Sequence, residues 1–298
     1  MVTSRDVTSS DATSSTGRAM SFGAIAADYD RLRPSPAPDA VRWLLPTNER
    51  PRGGLPDARA PESTERPRGG LPDARAPEGT CGVAVDLAAG TGLLTRALAG
   101  KASYIVAVEP DTRMAAVLRT RSPGVHVVSG RGEAIPLQDQ CADAVLVSAA
   151  WHWMTPELAV PEIARVLRDG GRFGVIWTSR DRSVDWVRDL DLLREPVEVA
   201  AGSQPPQPRR RDVWLPDPGV FTDVQETSFG FIRSMTIDDL VGMLATYSGL
   251  ITAGQAERAD ALARVRAALV ARFGDAREID VPMRSLCWRA DRSSRRSG

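Results

Sequence analysis

From residue 80 onward, short continuous apolar runs alternate with amphipathic stretches, the pattern of parallel strands buried on both faces and of helices that cover them. Residues 83–87 read as a first strand, followed after a Gly-containing turn by a helix over 93–99. A second strand over 104–108 leads to a helix over 111–119, where Asp111 can cap the first turn. Third and fourth strands fit 125–128 and 144–148. An amphipathic helix over 156–167 is expected to stop at Asp169, Gly170 and Gly171 and to lead into a fifth strand over 172–177. Alternation returns over 224–232, a helix fits 253–273, and the segment IDVPMRSLCWRA closes the sheet. The fold class predicted is α/β: a doubly wound, mostly parallel seven-stranded sheet with helices on both faces, in a single domain over 21–298.

The flanks read differently. Residues 1–20 are small, polar and without hydrophobic period, which predicts a disordered tail. Phe22, Ile25, Ala26 and Tyr29 then recur at helical spacing until Pro34, Pro36 and Pro38 break the pattern, and a second short helix fits 39–45. From Glu49 the fourteen residues ERPRGGLPDARAPE appear, and after Ser63 and Thr64 they recur unchanged from Glu65. Solenoid repeats carry an apolar face for stacking, whereas each copy here offers a single Leu. A disordered tandem-repeat insertion over 49–78 is therefore expected. Over 180–220 an amphipathic stretch, VDWVRDLDLL, meets the polar loop GSQPPQPRRRD, and this segment is expected to cap a substrate.

Charge and composition narrow the function. The 38 basic and 38 acidic residues cancel, so there is no global positive field for nucleic acid or an anionic membrane, and neither is expected as a partner. Nearly all the basic charge is Arg, with Lys101 the one lysine. Cys81, Cys141 and Cys287 are odd in number and widely spaced, and only His126 and His152 accompany them, so no disulfide framework and no metal site are expected. No apolar run is long enough to span a bilayer and the first residues lack a signal-peptide core, which predicts a cytoplasmic protein.

Chemistry concentrates in VAVDLAAGTGLL, an apolar strand ending in Asp86 and a turn of Ala88, Ala89, Gly90, Thr91 and Gly92 that opens a helix. Small residues let a ligand lie against the backbone, and the exposed N–H groups favour an anion. Glu109 stands at the end of the second strand, 23 residues beyond Asp86, where a carboxylate can accept both hydroxyls of a ribose. Together the two features point to an adenosine ligand. A nicotinamide dinucleotide would need G-x-G-x-x-G, but aligning Gly90 and Gly92 puts Thr95 in the third place and aligning on Ala88 puts Leu93 there. The phosphate loop G-x-x-x-x-G-K-[ST] is also absent.

These pieces, in this order, resemble the class I S-adenosylmethionine-dependent methyltransferases, Rossmann-like in fold, and within them the trans-aconitate methyltransferase-like branch with a methyltransferase type 11 domain. The resemblance covers about Phe22 to Trp177, with the repeat as an insertion, and more weakly the closing strand. The family segment A-x-x-Y-x-x-x-R-P stands here as Ala26, Tyr29, Arg33 and Pro34; the turn is DLAAGTG, the ribose acid VEP, and the adenine edge GRGEAIPL. The H-W pair after the fourth strand stands within Trp151-His152-Trp153. The resemblance implies S-adenosyl-L-methionine as cofactor, held by Tyr29, Arg33, Asp86, Ala88, Gly90, Gly92, Glu109, Pro110, Met114, Gly132, Glu133 and Ser148. Two positions depart from the family. Ala88 replaces the first turn Gly, and Arg131 stands where an Asp often meets the adenine amine, leaving that contact to the Gly132 backbone or Glu133. Met114 either packs on adenine or belongs to the core.

Methyl transfer from a sulfonium needs alignment and exclusion of water more than dedicated catalytic groups. His152 is the imidazole near the strand ends: it serves either as a general base for a hydroxyl acceptor or as a wall of the cofactor pocket. Trp151, Trp153 and Trp177 either line an apolar acceptor pocket or pack in the core, and Arg33 or an Arg within 180–211 is available for an acceptor carboxylate. The expected activity is methyl transfer to a small molecule, carboxylate or hydroxyl favoured, by a monomer or homodimer. An NAD(P)-dependent oxidoreductase and a non-catalytic S-adenosylmethionine-binding protein are the alternatives.

Overall fold

Val83, Val85 and Leu87 alternate with Ala84 and Asp86 along one strand, and all five are buried, so the sheet they enter must be covered on both sides. A computed structural model, which describes residues 25–46, 80–193, 212–217 and 219–294, shows that sheet. Its strands in chain order are β1 (Cys81–Leu87), β2 (Ala102–Val108), β3 (His126–Val128), β4 (Ala142–Ser148), β5 (Leu167–Arg180), β6 (Phe221–Met235) and β7 (Ile279–Arg292). They lie in the order β3-β2-β1-β4-β5-β7-β6. The first five strands are parallel; β7 runs antiparallel between β5 and β6. The order reverses at β1, the kind of switch point beyond whose strand carboxyl ends open α/β sheets bind ligands.

The helices are α1 (Ala26–Leu32), α2 (Pro38–Leu44), α3 (Leu93–Leu98), α4 (Thr112–Arg121), α5 (Pro156–Val166), α6 (Asp185–Leu192), α7 (Ile237–Ala245), α8 (Ser248–Ile251) and α9 (Gln255–Phe273). Each sheet face has its own core. On one, Val85, Val145, Phe173 and Val175 meet Val160 and Ile163 of α5, which begins with Pro156 in its first turn. On the other, Ala84, Leu146 and Ile176 meet Leu44 of α2 and Leu94 and Leu98 of α3. A third core lies beyond the strand ends, where Leu32 of α1, Leu190 of α6 and Leu240 and Leu244 of α7 pack with Val265 of α9 and Val281 of β7.

The structure departs from the pattern reading in three places. Asp169, Gly170 and Gly171 do not stop α5. The helix ends at Val166, and fully buried Leu167 already pairs with Ala142, so the Asp-Gly-Gly residues form an irregularity inside β5 before Arg172 pairs with Ala144. Gly170 takes φ +73° there, a conformation that favours glycine. Helices α7 and α8 occupy a stretch to which hydrophobic periodicity assigned no element, and α9 starts at Gln255 rather than Ala253. The expected tail over 1–20 and the repeat over 49–78 lie outside the described residues, as does much of the expected capping segment, whose described part holds α6. Among the described residues no helix is long and apolar enough to cross a membrane.

Packing at the sheet centre is tight. A Cβ on Gly174 would sit 2.7 Å from Leu146 Cδ2 and 2.9 Å from Leu44 Cδ2, whereas one on Gly230 of β6 would come no nearer than 3.9 Å to the Met283 carbonyl oxygen. Gly174→Ala is expected to lose about 1–3 kcal/mol in urea unfolding through this overpacking. Gly230→Ala is expected to be neutral or to gain a few tenths of a kcal/mol, roughly the entropy removed from the unfolded chain. Equal losses at both positions would contradict this packing account.

Candidate functional site

The turn after β1 is built by three residues in the left-handed region: Ala88 at φ +56°, Gly90 at +59° and Gly92 at +87°. Gly92 is required twice over, because a Cβ there would also lie 2.8 Å from Leu118 Cγ of α4. Ala88 holds this conformation with a Cβ, at roughly 1–2 kcal/mol relative to glycine. A Cβ on Gly90 would meet nothing within 4 Å, so open space adjoins the backbone at the centre of the turn.

Glu109 ties that turn to the end of β2. Its Oε2 accepts from the Gly90 amide at 2.8 Å and its Oε1 from the Asp111 amide at 2.8 Å, and the side chain is otherwise buried. Burial pushes its carboxyl above the ordinary range and the two amides pull against that shift. Asp111, the expected cap of α4, accepts from the Arg113 and Met114 amides at 2.8 and 3.4 Å. Met114 is buried on the first turn of that helix, and Pro110 is exposed.

Asp86 is fully buried at the end of β1. Its Oδ2 accepts from Thr95 Oγ1 at 2.5 Å, and its Oδ1 has no hydrogen-bond partner among the described residues. Burial, with Glu109 adding like charge and Thr95 and Arg96 opposing, pushes its carboxyl up to about 7. An orphaned acceptor beside an open glycine is the arrangement of a site that a ligand's donor completes.

Other expected residues fall around the same end of the sheet. A Cβ on Gly132 would lie 2.7 Å from Met154 Sδ, and Glu133 Oε1 accepts from the Thr155 amide at 2.9 Å, before α5. Ser148, half-buried, ends β4. His152 is exposed in a short 3-10 turn (Trp151–Trp153), its ring centroid 4.5 Å from that of Trp153. Two of the three tryptophans are core residues: Trp151 packs on Phe173 at 5.3 Å, and Trp177 is buried in the same cluster.

Arg33 is locked to the far end of α7. Its Nε donates to Thr246 Oγ1 at 2.8 Å and its Nη2 to the Thr246 carbonyl at 2.9 Å, while the guanidinium lies 3.9 Å from the Tyr247 ring centroid and 5.1 Å from that of Tyr29. The residues that pin α1 over the turn escaped the sequence reading. Asp30, buried, accepts from Arg96 of α3 at 2.5 Å and from Arg121 of α4 at 3.0 Å, and Arg96 also donates to the Thr91 carbonyl within the turn at 2.8 Å. An Asp beside the family Tyr was the available signal. Arg180, buried at the carboxyl end of β5, was covered only as one Arg within 180–211. Its Nη2 donates to Asp191 at 2.6 Å, while Nε and Nη1 make no hydrogen bond among the described residues.

With this geometry in hand, comparison with known proteins is informative. Residues 85–175 match the family model of a methyltransferase domain. An uncharacterized methyltransferase of Mycobacterium tuberculosis is 34% identical over 273 residues, covering 91% of this chain and 95% of the relative. Another from Schizosaccharomyces pombe is 32% identical over 167 residues, 56% of this chain and 65% of the relative. Among solved structures, one described as a type II methyltransferase from Anaeromyxobacter dehalogenans superposes with a TM-score of 0.54 at 23% identity, covering 71% of this chain and 89% of that one. That likeness concerns the fold.

Asp86 gives the site a pH signature. Its carboxyl is raised in the folded protein to about 7, while in the unfolded chain it titrates at about 3.9. Between those values the folded state holds a proton that the unfolded chain has released, so this group removes stability as pH rises through the window. Asp86→Asn keeps an acceptor for Thr95 without the buried charge. Relative to wild type, the variant is expected to gain stability from about pH 4 to about pH 7, by an amount on the order of a few kcal/mol. Denaturant unfolding at a series of pH values reads this directly, and a pH-independent difference would show that the Asp86 environment has been misjudged.

Proposed function

The chain belongs to the S-adenosylmethionine-dependent methyltransferases, and from that membership we propose that it methylates a carboxylate or hydroxyl of a small-molecule acceptor, as the trans-aconitate methyltransferase-like branch would. The observation that carries the reading is the Glu109 bridge between the Gly90 and Asp111 amides, placed at the reversal of strand order beside the unpartnered Oδ1 of Asp86.

When bound, the cofactor supplies a methyl group already activated by its sulfonium. In this reading Glu109 accepts the ribose hydroxyls through lone pairs that its two amide bonds leave available. Asp86 Oδ1 takes a donor from the methionine end, the open backbone at Gly90 lets the ligand approach, and Gly92 keeps the turn tight. Ala88, Pro110 and Met114 shape the adenosine side, Gly132 and Glu133 border the adenine edge, and Ser148 lies at the end of the neighbouring strand. Tyr29 and Arg33 close the site from α1, which excludes water.

On the acceptor side, Arg180 supplies a buried guanidinium, held by Asp191 and beside Tyr247, whose Nε and Nη1 have no hydrogen-bond partner among the described residues, and a carboxylate suits such a fork. A carboxylate acceptor is nucleophilic as it stands. For a hydroxyl acceptor, exposed His152 beside Trp153 takes the proton as general base. We further propose a single domain of cytoplasmic location, monomeric or homodimeric. A small substrate rather than nucleic acid suits a chain whose 38 basic and 38 acidic residues balance.

Transfer of a radiolabelled methyl group to a panel of small carboxylic acids, phenols, alcohols and amines tests the proposal. Turnover is expected with members of the first three classes. Loss of His152 in His152→Ala is expected to reduce methylation of a hydroxyl roughly 100-fold or more and to leave that of a carboxylate within about threefold. Turnover confined to amines would overturn the acceptor assignment.

A further inference from the structure

Outside the cofactor turn lies a cleft of about 640 Å³ where α1 and the segment leading to α2 face α3 and the end of β6. Arg31, Arg33, Arg96, Arg121 and Arg233 all line it, and Asp30 is the one carboxylate among the lining residues. In a chain whose formal charge is zero, five guanidinium groups around one small cavity are not a general cationic background.

The charge there is incompletely compensated. Arg31 is met by Asp239 at 2.6 Å and Asp28 at 3.8 Å. Arg96 and Arg121 share the single carboxylate of Asp30. Arg33 is held by the neutral Thr246, and Arg233 donates to the Leu32 carbonyl at 2.7 Å; among the described residues neither forms an ion pair. Burial also lowers the basicity of Arg233, with Asp239 a more distant opposing charge, so its charged form lacks the solvation it would have in water. Guanidinium groups so placed are completed by an anion that accepts several of their N–H groups at once.

We propose that this cleft is a second ligand site, separate from the cofactor turn, for a small molecule with two or more negative charges on phosphate or carboxylate groups. Arg233 and the half-compensated pair Arg96 and Arg121 bind the charged groups. Phe231 and Ile232, which line the same cleft, offer apolar surface to the body of the molecule. The volume suits a compact metabolite-sized anion.

Calorimetric titration of the full chain at low salt, with inorganic pyrophosphate and separately with citrate, tests this. Saturable binding near one to one is expected for at least one of them, and the stronger of the two identifies phosphate or carboxylate as the group preferred. Arg233→Gln is expected to weaken it roughly tenfold or more and Arg233→Lys much less, whereas Arg272→Gln, an exposed charge on α9 away from the cleft, is expected to leave it unchanged. Melting curves of the free variants establish that each is folded. With S-adenosylhomocysteine present at saturation, anion binding is expected to persist. Absence of saturable binding of both anions, equal loss in Arg233→Gln and Arg272→Gln, or abolition by S-adenosylhomocysteine would each overturn a separate anion site.

Discussion

One carboxylate joins the turn after β1 to the head of α4. Glu109 ends β2, yet its oxygens are taken by the amides of Gly90, in the turn after β1, and of Asp111, at the head of α4. The parallel pairing of β1 with β2 brings these groups together, Leu87 opposite Val108, and the left-handed residues of the turn direct the Gly90 amide back toward the acid. Two charge-assisted hydrogen bonds, each among the stronger kinds available to a protein, offset the burial of the charge and hold the rim in one shape. A carboxylate held in this way is fixed in place before any ligand arrives, so little ordering of it would remain to oppose binding.

Around this bridge helix α1 is held by contacts with three other helices. Helix α1 has little apolar surface of its own, with Ala26 and Leu32 its buried hydrophobic side chains, and ionic contacts hold it down. Asp30 ties it to α3 and α4, and Arg33 ties it to the end of α7, whose other side packs in the third core. The order of the cap is thereby coupled to the order of the turn through Arg96, which contacts Asp30 and Thr91 alike. Such a frame suits a reaction that requires alignment above all.

The legible part of the fold was the part in which local pattern and tertiary context agree. Strands β1, β2 and β4 are largely apolar runs, so the elements could be read, and the positions of Asp86 at the end of β1 and of Glu109 just after β2 with them. The Asp169-Gly170-Gly171 stop signal misled because the pairing of buried Leu167 with Ala142 outweighs local turn chemistry. Helix α7 was missed although Thr236 Oγ1 caps it by accepting from the Asp239 amide at 3.0 Å, a side-chain signal that hydrophobic periodicity alone passes over. The pairing of Asp30 with Arg96 was unreadable because the two lie 66 residues apart, and Arg180, 11 residues from its partner Asp191, was hidden among arginines that abound throughout the chain.

In the proposed reading, Glu109 and the turn it braces form an adenosine site for a sulfonium donor. Calorimetric titration of S-adenosylmethionine, S-adenosylhomocysteine and NAD into the wild type and Glu109→Ala tests it most directly. Binding of the first two is expected near −8 kcal/mol, roughly micromolar, weakened about tenfold or more in the variant, with NAD far weaker. Undiminished affinity in Glu109→Ala, or a preference for NAD, would contradict it.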